Sequence, residues 1–246
     1  LSLSIVLISC ATIFAQVNEV ANFNRADLEQ NETMPYYKPT GAGNIGIRSV
    51  WVADDLDQDG KPEIIITDYS NNGRVHVLEL NGDNLEIVWS SPIPEHTDGS
   101  GSTPRWVRTG DLDGDGKGEI IFPLAKGNLN WKVQVWEWDG VNDNNYILAI
   151  ELESDAFVSQ GLGNFMSRRE VAAVFDFDGD GSDELIMTNS DNNTYILGIT
   201  GDIPGFGGWQ IEGGLASTGN PYNSKDFSKL PWHFVPADLN GDGNLE

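Results

Sequence analysis

The chain has 246 residues, with 14 basic against 38 acidic side chains and a formal net charge of −24. That balance excludes nucleic-acid binding, which needs Lys/Arg patches, and docking on anionic lipid. The 8 Trp, 6 Tyr and 10 Phe, with many short Val/Ile/Leu runs, exclude a disordered polyanion and point to a packed core.

Residues 1–15, LSLSIVLISCATIFA, are apolar and end at small residues, the pattern of a secretory signal peptide cleaved before Gln16. There is no initiator Met and no basic start, so the reading expects the leader to begin upstream. LISC also matches a lipoprotein acylation site at Cys10, the alternative to simple cleavage; the apolar run continues past the cysteine, which favours cleavage. The run is too short to span a membrane. Cys10 is the only cysteine, so the mature chain has no disulfide framework and no thiol chemistry. Residues 16–46 read as a lead-in segment, with 17–32 suited to one short helix. Within it GAGNIG, 41–46, spells G-x-G-x-x-G, but a strand follows it where a dinucleotide site needs a helix, so it reads as a loop.

From residue 47 the chain repeats itself. DLDQDGKPE from Asp55, DLDGDGKGE from Asp111, DFDGDGSDE from Asp176 and DLNGDGNLE from Asp238 recur about every 60 residues. An apolar run precedes each of the first three (VWVAD, RWVRTG, EVAAVF) and another follows (IIITDY, IIFPLA, LIMTNS). The first unit continues with alternating RVHVLEL, an Asn-Gly-Asp turn and LEIVWS; the second with WKVQVWEWDG and NYILAIEL; the third with NTYILGIT. Each unit therefore reads as about four short antiparallel strands, and units of this length suggest the blades of a β-propeller. The unit boundaries fall near 47–102, 103–166, 167–229 and 230–246. Trp138-Asp139 occurs once and the period is too long for the WD40 type.

The acidic nonapeptide is the chemically informative element. Three carboxylates within five residues repel one another unless a cation sits between them. Ca²⁺ takes six to eight oxygens at about 2.3–2.6 Å; positions 1, 3 and 5 supply side-chain oxygens, a glycine at 6 allows the sharp turn, position 7 offers its carbonyl and position 9 closes the shell. The expected ligands are Asp55, Asp57, Asp59, the carbonyl of Lys61 and Glu63 in the first loop, and Asp111, Asp113, Asp115, the carbonyl of Lys117 and Glu119 in the second. In the third they are Asp176, Asp178, Asp180, the carbonyl of Ser182 and Glu184, the strand register choosing Glu184 over Asp183. In the fourth they are Asp238, Asn240, Asp242, the carbonyl of Asn244 and Glu246. An all-oxygen set argues against zinc, copper and iron, and Mg²⁺ fits less well because it demands octahedral geometry. Position 12 is apolar (Ile66, Phe122, Met187), which excludes the EF-hand. Three to four Ca²⁺ ions are expected, each contributing roughly 0.4–1.4 kcal/mol at millimolar Ca²⁺.

DLDQDGKPEIII, DLDGDGKGEII and DFDGDGSDELIM resemble the FG-GAP/VCBS repeats of integrin-α-like β-propellers, over roughly residues 47–246. The resemblance implies a calcium-binding propeller, usually of seven blades, with the ions in loops joining strands within blades. Three blades and the start of a fourth make an incomplete ring, so the reading expects an N-terminal fragment of an all-β propeller protein. The function expected is a secreted or cell-surface calcium-stabilised scaffold binding an extracellular protein or glycan, without a catalytic site. The alternative is the propeller part of a polysaccharide-acting enzyme such as a lyase. His76, His96 and His233 are too dispersed for a triad or a metal site. Trp131, Trp136 and Trp138 read as packing between blades rather than a sugar platform, and Arg168 and Arg169 as partners of nearby carboxylates.

Overall fold

The computed structural model describes residues 47–68, 74–92, 104, 106–126, 130–153, 172–188, 194–203, 205, 207–215, 237 and 239–241. Residues 1–46, with the leader, Cys10 and GAGNIG, lie outside the described residues, as do His96, His233, Arg168 and Arg169 and the side chain of Trp131. Of the fourth loop only 239–241 are described, so the reading of Asp238, Asp242, Asn244 and Glu246 lies outside as well.

Among the described residues the chain forms twelve strands and no helix. The first sheet holds β1 (Ile47–Val52), β2 (Ile64–Asp68), β3 (Arg74–Asn81) and β4 (Asn84–Ser90). The second holds β5 (Arg108–Gly110), β6 (Glu119–Lys126), β7 (Asn130–Trp138) and β8 (Tyr146–Glu153). The third holds β9 (Ala172–Phe175), β10 (Glu184–Thr188), β11 (Thr194–Thr200) and β12 (Gly208–Leu215). In each sheet neighbours in sequence are neighbours in space, and every pairing is antiparallel. The pairing of third with fourth strand carries an irregularity at a matching place in all three sheets, at Val77/Leu78, Val135/Trp136 and Ile196/Leu197. The sheets are thus three copies of one unit. Among the described residues no helix is long and apolar enough to cross a membrane.

Alternation along the strands explains how the sheets stack. Side chains at successive strand positions point to opposite faces. On the second sheet Ile120, Phe122, Leu124 and Trp136 pack with Ile65, Val75 and Val77 of the first. The intervening Ile121, Val133 and Val135 pack with Leu185, Met187 and Leu197 of the third. The middle sheet is therefore covered on both faces. Trp136 meets Trp89 edge-on with ring centroids 5.2 Å apart, and Tyr146 meets the same ring at 5.4 Å. Trp136 and half-buried Trp138 belong to this seam, as packing and not as an open platform.

The first strands of the sheets are tied by polar contacts. Trp51 Nε1 donates to Thr109 Oγ1 at 2.9 Å, the Arg108 guanidinium lies 4.6 Å from the Trp51 ring centroid, and Arg108 Nε donates to the Ala172 carbonyl at 2.8 Å. Pro123 sits in β6 beyond the last β5 pair, Arg108↔Ile121, where its missing N–H interrupts no described ladder on that side. The strand joining each acidic loop to the core is always the second of its sheet. All three loops consequently emerge at the same end of their sheets.

Candidate metal centre

Each described acidic loop is the connection from the first strand of a sheet to the second. At its sixth position the backbone is left-handed: φ is 95° at Gly60, 87° at Gly116 and 101° at Gly181. That region is disfavoured for a residue with a Cβ. The fourth position is also left-handed, with glycine in the second and third loops and Gln58 (φ 61°) in the first.

One hydrogen-bond web recurs in all three loops. The ninth-position glutamate reaches back to the second-position N–H: Leu56 to Glu63 Oε2 at 2.7 Å, Leu112 to Glu119 Oε2 at 2.6 Å, Phe177 to Glu184 Oε2 at 2.5 Å. The sixth-position N–H donates to one oxygen of the first aspartate: Gly60 to Asp55 at 2.8 Å, Gly116 to Asp111 at 2.9 Å, Gly181 to Asp176 at 3.1 Å. The seventh-position N–H donates to the fifth-position aspartate at 2.8 Å (Lys61 to Asp59), 2.8 Å (Lys117 to Asp115) and 2.9 Å (Ser182 to Asp180). In the first two loops the backbone thereby holds one oxygen of the first and of the ninth acid and leaves the other without a donor.

The loop acids converge. Asp55, Asp57, Asp59 and Glu63 each bring a carboxylate oxygen within 4.8 Å of the others, as do Asp176, Asp178, Asp180 and Glu184. In the second loop Asp111, Asp113 and Asp115 form such a group, with buried Glu119 outside it. Asp55 Oδ1, Glu63 Oε1, Asp111 Oδ1 and Glu119 Oε1 are buried and have no hydrogen-bond partner. Buried charged oxygens without a donor are strongly unfavourable unless they are protonated or bind a cation. Burial, reinforced by Asp57 and Asp55, pushes Glu63 up to about 8. Burial, reinforced by Asp113 and Asp111, pushes Glu119 up to about 10, and burial with the Glu212 charge and the loop aspartates brings Glu184 to about 7. The donor set fits a hard cation that takes oxygen ligands.

The structure adds groups that the sequence reading missed. The side chains of Lys61 and Lys117 take part in the loops. The Lys61 ammonium binds Asp59 and, at 2.6 Å, Glu79 Oε2 on β3; the Lys117 ammonium binds Asp115 and, at 3.0 Å, Glu137 Oε1 on β7. The signal for Glu79 and Glu137 was present: each is a buried acid that continues the two-residue spacing of a valine pair, Val75 and Val77 or Val133 and Val135.

The third-position aspartate also reaches the neighbouring sheet. Asp57 Oδ2 accepts the Asn144 N–H from the β7–β8 turn, and Asp113 Oδ2 accepts the Ile203 N–H from the β11–β12 turn, both at 2.7 Å. Asn144 Nδ2 adds a bond to Glu79 Oε1 at 2.5 Å, and Asp143 beside it joins Asp57, Asp59 and Glu79 in a further acidic group. Asp139 builds that turn by accepting the Val141 and Asn142 N–H groups, each at 2.8 Å. In the third loop Asp183 turns away from the nest: its Oδ2 accepts the Asp111 N–H at 2.8 Å and its N–H donates to the Asp111 carbonyl at 2.7 Å.

His76 lies between Ser90 Oγ, 2.6 Å from Nδ1, and Asp68 Oδ2, 3.7 Å from Nε2. Sequence spacing did not reveal this serine–histidine–acid line, because β2, β3 and β4 bring it together. Asp68 is 0 %, His76 2 % and Ser90 7 % exposed, so the line is sealed from substrate. Burial holds the His76 pKa below its ordinary value. The His76–Ser90 bond joins the side chains of β3 and β4.

Fold and loops define a class: an all-β protein of repeated four-stranded antiparallel sheets, each with one acidic, glycine-turned loop between its first two strands. Residues 55–122 match the family model described as FG-GAP-like repeat. The match runs from the first acidic position of the first loop through the whole of the second, so the chain carries an FG-GAP-like repeat there. No curated protein matches the chain.

Proposed function

We propose that the loops bind Ca²⁺ and that the three sheets are consecutive blades of a β-propeller, a calcium-stabilised scaffold outside the cell that binds a protein or glycan. The observation that carries the reading is the set of buried, partnerless oxygens at the first and ninth loop positions, Asp55 Oδ1, Glu63 Oε1, Asp111 Oδ1 and Glu119 Oε1. The loop acids named above would hold the ion, and its charge would turn their mutual repulsion into attraction. The matching strand order of the three sheets and their face-to-face stacking support the blade reading. The FG-GAP-like match supports an extracellular place and a binding role by analogy of fold.

Calcium then acts on folding rather than as a signal. Removing Ca²⁺ with chelator should lower the melting temperature of the chain, and adding Ca²⁺ back should restore it, with Mg²⁺ at the same concentration restoring less. A melting temperature indifferent to chelator would overturn the reading.

A further inference from the structure

The three loops share a backbone but not a charge balance. In the first two, the seventh residue is a lysine whose ammonium bridges the fifth-position aspartate and a strand glutamate: Lys61 with Asp59 and Glu79, Lys117 with Asp115 and Glu137. Register explains the glutamates. Glu119 pairs with Glu137, and one step from the Ile64↔Leu78 pair sets Glu63 beside Glu79. The same step from Leu185↔Leu197 sets Glu184 beside Gly198, which has no side chain.

The room left by Gly198 is filled. A Cβ there would lie 2.1 Å from Glu212 Oε1, so Glu212 on β12 brings a carboxylate to the place that β3 and β7 fill from within. Glu212 also feels the charges of Asp178 and Asp180. Yet the seventh residue of this loop is Ser182, and its N–H bond to Asp180 Oδ1 is its part in the web. Among the described residues the third loop keeps the extra acid and lacks the ammonium.

We propose that the seventh position ranks the loops for cations: the third, with Ser182 and Glu212, is the tight site that fills first, and Lys61 and Lys117 are resident counter-charges that weaken the first and second. This rests on the reading that the loops bind Ca²⁺. Affinity in oxygen-ligand loops follows the charge of the ligand set. An ammonium about 5 Å from a divalent ion in near-aqueous dielectric repels it by an amount equivalent to roughly tenfold in affinity. The lysines also have a use in the metal-free chain, where they hold two loops together and leave the third to its own repulsion.

The test is a calorimetric Ca²⁺ titration of the whole chain beside Ser182→Lys, Lys117→Ser and Glu212→Gln, with circular dichroism as the folding control. The proposal expects one tight site and weaker sites at least about tenfold below it. Ser182→Lys should weaken the tight class by about tenfold, Glu212→Gln should weaken it several-fold without adding a side chain, and Lys117→Ser should tighten one weak site by about tenfold. Saturable binding at equal affinities, or a tight class that Ser182→Lys and Glu212→Gln both leave unchanged, would overturn the ranking while leaving the calcium reading standing. A folded chain that binds no Ca²⁺ would overturn both.

Discussion

Raising the pH from 6 to 8 should tighten Ca²⁺ binding by different amounts in the three loops. The perturbation acts on the ninth-position glutamates, which burial pushes up to about 8 at Glu63, about 10 at Glu119 and about 7 at Glu184. Below those values the metal-free folded chain holds a proton on each, and a cation must displace it. Affinity then follows the deprotonated fraction. Over this interval it rises by about tenfold for the third loop, about fiftyfold for the first and about a hundredfold for the second. The sign for folding is the reverse. Each glutamate has a folded pKa above its unfolded value, so the metal-free fold is favoured below about pH 4.5 and loses that stability as pH rises toward the folded values. The assay is calorimetric titration at pH 6, 7 and 8 in two buffers of different protonation heat, which counts protons released per ion. Affinities that change less than twofold across the range, with no proton release, would refute this reasoning.

Three further outcomes follow from the geometry. Gly116→Ala introduces a Cβ that meets no atom within 4 Å, so only the left-handed backbone at φ 87° opposes it; denaturant unfolding should show a loss of about 1–2 kcal/mol, and a neutral result would contradict the role given to the sixth position. In Asp113→Ala the Ile203 amide loses its acceptor, so its hydrogen exchange should accelerate while that of the buried Leu197 does not; unchanged protection of Ile203 would show that the aspartate does not couple the sheets. Trp136→Ala empties the seam against Trp89 and should destabilise the fold by about 3–5 kcal/mol; a loss under 1 kcal/mol would mean that the first two sheets are not held by that packing.

Much of the architecture was legible because its signals are local. Alternation in RVHVLEL and WKVQVWEW marks β3 and β7, and the spacing of Asp55, Asp57, Asp59 and Glu63 marks a loop whose acids must share something. What escaped depends on contacts between strands or sheets. β12, GWQIEGGL, has three glycines and no clean alternation, so its place is decided by pairing with β11. Glu212 reaches the third loop only because Gly198 leaves room for it. The second oxygen of Asp57 or Asp113 finds its donor on the next sheet, which no spacing within a loop reveals. RWVRTG reads as one strand, yet only Arg108–Gly110 pairs, with Trp106 and Val107 buried ahead of it as core. The Asp68–His76–Ser90 line likewise appears only once three strands lie side by side.

The central claim is that each acidic loop holds one Ca²⁺. Its most direct test counts bound Ca²⁺ by equilibrium dialysis in the chain and in Asp55→Asn, Asp111→Asn and Asp176→Asn, each of which removes the charge of a first-position side chain that, among the described residues, accepts hydrogen bonds within its own loop. The account predicts a stoichiometry that falls by one ion in each variant and by three when they are combined. A folded chain whose Ca²⁺ content is the same in all four proteins would contradict it.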